Sequence, residues 1–483
     1  MRSRSLLRQL TRGQVLSGPS TRGFVTSTRL WNANANAPSQ LEIASKSEDV
    51  KADSLNIPIT CMSKGSALHL RGPRAKLTLN YTFLRDLCKC PQCVDPHSKQ
   101  KSFRTNDIPL DIRPRNIKWD GEHLEVQWVN DTQGASPDHL SRWHLQYLRN
   151  PSIKPNHSSP RFSPLLWNAG QMKEQQHWVS YEDYMNNEDK FAASMRNLQR
   201  LGLIFIKDIP DSREEVAKIA TRIGPLRNSF YGSTWDVRSV PEAKNVAYTN
   251  QFLNFHMDLM YMNEPPGYQL LHCLENSCDG GESLFADSFL AAEFMKKNHR
   301  ELYEELTQRL LAYEYAHEDQ VYYNERPVFE VDQHSQKLRH INYSPPFQAA
   351  LPTPWKTPGS PVHINRMKQA LDVFTKLIES ENSVFDLKLN PGECVIFNNR
   401  RIVHARRQFN TAVGSRWLAG AYVDTDAVLS RFSVTGRKHL DIWESADPKR
   451  GREILKAKKV IESVNQRLAE LMSQGAGEVV TKA

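Results

Sequence analysis

Three residue types at two places in the chain set the chemical question. His256 and Asp258 stand two apart in 254-NFHMDLMYMNEPPGYQLLHC-273, and His404 lies far along in 390-NPGECVIFNNRRIVHARRQF-409. A strand sends residues i and i+2 to the same face, so His256 and Asp258 can offer an imidazole nitrogen and a carboxylate oxygen together. A lone His-x-Asp occurs often by chance. A second histidine brought in by a distant strand completes a facial set of two histidines and a carboxylate, which leaves three cis positions on iron(II) for a co-substrate and oxygen. His404 follows the apolar run 394-CVIF-397 and sits beside Arg406 and Arg407. Arg416 opens the next strand-like run, 416-RWLAGAYV-423. An arginine there is suited to hold the far carboxylate of a dicarboxylic co-substrate in a bidentate pair.

These residues need strands to position them. Strand-like runs recur at 201-LGLIFIKDI-209, 268-YQLLHC-273, 394-CVIFNN-399 and 416–423, separated by Gly/Pro turns and with little strand–helix alternation. That pattern predicts a mainly β fold with flanking helices, a sandwich or double-stranded β-helix rather than a Rossmann sheet. Ile364, Met367, Leu371, Phe374 and Ile378 recur at spacings of three and four and predict one apolar helical face. Residues 150–170 carry four prolines with Ser and Asn, a linker composition. A small β-rich domain is predicted before it, over 65–150, and the larger domain after it, over 171–435. In the small domain 75-AKLTLNYTFL-84 reads as a strand, and Asp120-Gly121 within 116-NIKWDGEHLEVQWVN-130 as a tight hairpin turn. Residues 436–483 read as a helical extension. Its charged amphipathic stretch, 452–472, is a packing or oligomer element, and a homodimer is one assembly it would serve.

Of the seven cysteines, Cys88, Cys90 and Cys93 cluster and the rest are scattered. This is a poor basis for a disulfide framework and a good one for a single local metal site in a reduced compartment. Three thiolates need one more ligand to make tetrahedral zinc.

The net charge of +9 is concentrated at one end of the chain. Arg2, Arg4, Arg8, Arg12, Arg22 and Arg29 fall before the first acidic residue, Glu42, and leave about +3 for the rest of the chain. A nucleic-acid partner is therefore not expected. Nor is an integral membrane segment, because no apolar run approaches the roughly 18 residues needed to span a bilayer. Residues 1–41 are rich in Arg, Ser and Thr and free of acid, with Leu6, Leu7 and Leu10 among the arginines. This composition predicts a mitochondrial transit peptide and linker, cleaved near residues 24–40, and a matrix location.

The ordered motifs LRDLCKCPQC (84–93), FYGSTWDV (230–237), NVAYT (245–249), FHMD (255–258), PPGYQLLHC (265–273), GGES (280–283), NPGECVIFNNRRIVHARR (390–407) and GAYVD (420–424) give the chain a resemblance to the gamma-butyrobetaine dioxygenase family. These are iron(II)- and 2-oxoglutarate-dependent hydroxylases related to trimethyllysine dioxygenase. The resemblance covers residues from about 70 to 432. It implies a double-stranded β-helix catalytic domain with His256, Asp258 and His404 as iron ligands, Arg416 on 2-oxoglutarate and Ser283 as a hydroxyl near that co-substrate. It also implies a structural zinc whose histidine aligns best with His139, with His97 and His144 as alternatives. The family's cage for a trimethylammonium group falls on Tyr231, Trp235, Tyr248 and Tyr422. Such a cation has no N–H to donate and must be held by aromatic faces. Asn245 matches a position that holds the substrate's carboxylate, and Ser344 stands where the family carries an amide, a departure that bears on which substrate fits. The activity implied is hydroxylation of gamma-butyrobetaine to L-carnitine with O2, 2-oxoglutarate and ascorbate as reductant. Two alternatives stand beside it: hydroxylation of trimethyllysine or another quaternary amine, and a non-catalytic zinc-stabilised binding protein on the same fold.

Overall fold

The computed structural model describes residues 60–72, 75–119, 123–144, 147–148, 164–238, 250–351, 361–410, 412, 414–439 and 442–443. The basic leader, the 452–472 stretch, Asp120-Gly121, Asn245 and Tyr248 lie outside the described residues. The chain divides into two compact units, Met1–Ser152 and Ile153–Ala483.

The first unit contains two three-stranded antiparallel sheets. One is formed by β1 (Thr60–Lys64), β2 (Ala67–Gly72) and β3 (Ala75–Asn80), the other by β4 (Pro114–Trp119), β5 (His123–Trp128) and β6 (Leu140–His144). Leu68, Leu70, Leu79, Leu124, Trp128 and Trp143 form their shared core. The strand expected over 75–84 stops at Asn80. The Asn80 side chain accepts hydrogen bonds from the Thr82 N–H (2.8 Å) and the Phe83 N–H, and so caps a helix, Tyr81–Asp86. Capping of this kind competes with strand continuation. The helix carries Arg85 inward and delivers the chain to Cys88.

In the second unit the strands are β7 (Trp178–Ser180), β8 (Leu203–Lys207), β9 (Thr234–Arg238), β10 (Leu253–His256), β11 (Tyr268–Asn276), β12 (Ser283–Asp287), β13 (Leu310–Ala316), β14 (Val321–Pro327), β15 (Phe329–Val331), β16 (Leu338–Ile341), β17 (Phe385–Leu387), β18 (Cys394–Asn398), β19 (Ile402–Arg406) and β20 (Arg416–Val423). Six form one sheet in the order β7-β8-β18-β11-β20-β9, and four form a second in the order β10-β19-β12-β17. This is the double-stranded β-helix. The nearly continuous apolar run of β11 is explained by burial on both faces. On one face Leu270, Leu274, Ile396, Ala419 and Ala421 pack against Val216 and Ile219 of the helix Glu215–Ile223. On the other, Leu271, Phe397 and Leu418 meet Phe285 of the smaller sheet.

The helix Pro361–Glu379 is present, with a buried stripe that differs from expectation. Met367, Ala370, Phe374, Leu377 and Ile378 are buried, whereas Leu371 is half-buried and Ile364 is 43% exposed. The stripe is set by Phe374, whose ring packs 5.3 Å from both Phe329 and Tyr343. Small Ala370 lies on the buried side, which a count of large apolar residues overlooks. No helix among the described residues is long and apolar enough to cross a membrane.

Candidate active site

β10 and β19 pair antiparallel with His256 opposite His404, which brings the two imidazoles to 4.2 Å between ring centroids. The His256 Nδ1–H donates to the Asn254 carbonyl (2.8 Å), leaving Nε2 free to bind a metal. Asp258 follows the strand end. Its Oδ1 lies 3.3 Å from His256 Nε2 and 3.8 Å from His404 Nε2. One donor atom from each residue falls within 4.8 Å of the others, a spacing one ion can bridge.

Several neighbours fix this cluster. Tyr422 Oη donates to Asp258 Oδ2 at 2.6 Å. The Asp258 N–H donates to Asn399 Oδ1 (2.8 Å), and Asn399 Nδ2 returns to the carbonyls of Asp258 (3.0 Å) and Pro266 (3.1 Å). Burial pushes the Asp258 carboxyl up, but His256, His404 and the Tyr422 hydroxyl outweigh it and hold it at about 2. Burial, and then the neighbouring His256, push His404 down to about 3, so it is a neutral imidazole. Asn399 carries no metal-ligating or titratable group that singles it out in the sequence. The signal for it was an Asn at the end of a buried strand, which must find partners.

A cavity opens beside the cluster and is lined by all three of its residues. Arg416 and Ser283 line one part of it, and Tyr231, Trp235 and Tyr422 contribute aromatic wall. Arg416 is only 7% exposed, yet its guanidinium makes no ion pair or hydrogen bond among the described residues, and Nε is closed off without a partner. Burial pushes its pKa down. A buried, unpaired guanidinium is costly and suits an anionic ligand. Gly281 makes room for it: the backbone there is at φ +75°, and a Cβ would stand 3.2 Å from Arg416 Cδ. Trp235 packs 4.0 Å from Tyr422, between ring centroids, and lies over Gly420, where a Cβ would come within 2.6 Å of the indole Nε1.

The structure does not bring Ser344 to this cavity. It is 1% exposed at the start of a single turn, Pro345–Phe347, with Oγ unpartnered among the described residues, and it is not among the lining residues. Tyr261, Gln269 and Leu259 also line the cavity, although none of them has a role assigned from sequence.

In the first unit Cys88, Cys90, Cys93 and His139 bring their donor atoms within 4.8 Å of one another. His139 Nε2 lies 3.5 Å from Cys88 Sγ and 3.3 Å from Cys93 Sγ, while Nδ1 pairs with Asp131 Oδ2 at 2.7 Å. Asp131 also accepts from Arg85 Nε, and Arg85 Nη1 donates to Cys93 Sγ at 3.2 Å. Three thiols and an imidazole whose far nitrogen is held by a carboxylate fit a closed structural zinc site. His97 is exposed, and His144 faces His123 across the β5–β6 pair with 5.1 Å between ring centroids. Neither joins the cluster.

Residues 169–422, more than half of the chain, match the family described as taurine catabolism dioxygenase TauD, TfdA family. The chain belongs to the TauD/TfdA family. Residues 72–136 match the gamma-butyrobetaine hydroxylase-like N-terminal family, so both units of this TauD/TfdA protein are accounted for. Among its relatives, dioxygenase str8 of Strobilurus tenacellus is 33% identical over 73% of this chain and 83% of that protein. Human gamma-butyrobetaine dioxygenase is 28% identical over 73% of this chain and 89% of its own. The mitochondrial trimethyllysine dioxygenase of Gallus gallus is 28% identical over 77% and 87% respectively. This TauD/TfdA protein is a 2-oxoglutarate-dependent dioxygenase of the iron(II) type.

Proposed function

We propose that this dioxygenase hydroxylates a small trimethylammonium substrate, gamma-butyrobetaine to L-carnitine, with iron held by His256, Asp258 and His404. The observation that carries this reading is one cavity holding the His/Asp/His cluster, the unpaired Arg416 and the aromatic wall of Tyr231, Trp235 and Tyr422. Iron(II) bound there supplies activation of O2 coupled to decarboxylation of 2-oxoglutarate and transfer of one oxygen atom into a substrate C–H bond.

The chain's own residues do the rest. Arg416 binds the far carboxylate of 2-oxoglutarate, with the Ser283 hydroxyl beside it. Tyr422 ties up Asp258 Oδ2 and so leaves Oδ1 to the metal. The aromatic faces hold a cation that cannot donate a hydrogen bond, and they exclude water. Tyr248 and Asn245 are assigned to the same pocket on the motif match alone. The zinc cluster is structural, ascorbate serves as reductant, and the leader addresses the protein to the mitochondrial matrix. Trimethyllysine is the second reading, favoured by relatives of equal identity.

Purified protein supplied with iron(II), ascorbate and 2-oxoglutarate is expected to release succinate when given gamma-butyrobetaine. Stimulation by trimethyllysine alone transfers the reading to that substrate. Absence of stimulation by any quaternary amine, in protein shown to contain iron, removes it.

A further inference from the structure

The thiols of the cysteine cluster are not equivalent. Cys88 and Cys93 are 1% and 2% exposed, whereas Cys90 is half-buried. Cys93 Sγ accepts a hydrogen bond from Arg85 Nη1 at 3.2 Å. That guanidinium is held in place: Nε donates to Asp131 Oδ1, Nη2 donates to Thr132 Oγ1 at 3.0 Å, and its central carbon lies 4.4 Å from the Phe103 ring centroid. The Cys88 sulfur is stabilised by the Ser141 hydroxyl and by the backbone N–H of Cys90. Ser141 is itself fully buried and accepts from Trp128 Nε1 at 3.0 Å. Among the described residues no N–H or O–H donates to Cys90 Sγ, whose contact is with the Cys93 sulfur of its own cluster.

A hydrogen bond to a thiolate draws electron density off the sulfur and makes it a poorer nucleophile, and burial bars reagents from it. Both protections act on Cys88 and Cys93. At Cys90 the first is missing and the second is incomplete. We propose that Cys90 is a modification site, the corner of the zinc cluster at which a peroxide or a soft carbon electrophile reacts first. This rests on the zinc reading above and is independent of the prime substrate. With hydrogen peroxide, the Cys90 thiolate attacks one peroxide oxygen, an S–O bond forms as the O–O bond breaks, and hydroxide leaves. Sulfur loses the electron pair that the peroxide gains. The sulfenic acid formed is uncharged and a weak ligand, so zinc is released. Condensation with the neighbouring Cys93 thiol then gives a disulfide and water. With iodoacetamide an S–C bond forms and iodide leaves.

The test treats the zinc-loaded full-length protein with iodoacetamide, or with hydrogen peroxide and dimedone to trap the sulfenic acid. Peptide mass spectrometry locates the modified cysteine while a chromophoric chelator follows zinc release. Cys90 is expected to be labelled at least about tenfold faster than Cys88 or Cys93, with zinc leaving at the rate of that labelling. Cys90→Ser is expected to abolish the fast phase of zinc release. Where that variant fails to retain zinc, the labelling order in the wild type decides alone. First labelling at Cys88 or Cys93, equal rates at all three, or labelling of Cys90 that leaves zinc bound overturns the assignment. Metal analysis keeps the two readings apart. Protein that binds no zinc at these residues removes the zinc reading and this one with it, whereas zinc-bound protein labelled in another order removes only the role of Cys90.

Discussion

The two oxygens of Asp258 have separate partners. Oδ1 faces both imidazoles and Oδ2 accepts from Tyr422. Burial opposes ionisation, yet these neighbours keep the carboxylate charged down to about pH 2. Asp258→Ala is expected to abolish iron binding and substrate-stimulated succinate release while zinc content stays unchanged. Metal analysis beside turnover checks this, and activity that survives would sink the ligand assignment. Gly420 acts at the same scale through its missing side chain. The Trp235 indole occupies the space a Cβ would need, so Gly420→Ala must displace the ring from its place against Tyr422. Crowding of this kind typically costs about 1–3 kcal/mol. The KM for the substrate should rise about tenfold with the KM for 2-oxoglutarate unmoved. Steady-state kinetics in each substrate distinguishes this from general damage, which would move both.

At the scale of elements, the small unit holds its cysteine cluster through three segments. The helix Tyr81–Asp86 supplies Arg85, the loop after it supplies the thiols, and the stretch before β6 supplies Asp131 and His139. Asp131 ties the helix to the stretch before β6 by accepting from Arg85, and it pairs with His139 within that stretch. His139 holds its carboxyl well below the usual carboxylate range, at about 2, against the opposing effect of burial. Asp131→Asn keeps the shape and loses the charge. It is expected to weaken zinc binding about 10- to 100-fold, read by competition with a chromophoric chelator. Unchanged affinity would show that the carboxylate does not orient the ligand.

Across the catalytic unit, the sheet that presents the cavity on one face buries His272 on the other. His272 is fully buried and neither ring nitrogen has a partner among the described residues. Burial pushes it down to about 4, only partly opposed by Glu215 and Asp211. An unfolded histidine binds its proton near 6.5, so between these values the unfolded chain holds more protons. Stability is therefore complete above about pH 6.5 and is lost as pH falls towards 4. His272→Leu is expected to flatten that decline and to add about 1–3 kcal/mol at pH 5, measured by denaturant unfolding across pH. An unaltered pH profile would assign the acid sensitivity to other groups.

The order His256, Asp258, His404, Arg416, the cysteine cluster and the strand runs that carry them were all legible in the chain. Metal-binding types at fixed spacing and period-two apolar runs are local patterns, and local patterns survive in one dimension. Other features depended on which strands became neighbours. The β10–β19 pairing put the two imidazoles side by side, and the β11–β20 register set Gln269 next to Tyr422. Tyr422 looked like an aromatic wall and proved also to be the hydrogen-bond donor to Asp258. Ser344 looked like a substrate contact and lies outside the cavity lining. The resemblance pointed to His139 ahead of His97 and His144, and its convergence on three thiols is a distance no spacing rule specifies. The chain by itself determined which chemistry was available. Only tertiary structure decided which polar groups were left without partners, because hydrogen-bond satisfaction is a property of neighbours in space and not of neighbours in sequence.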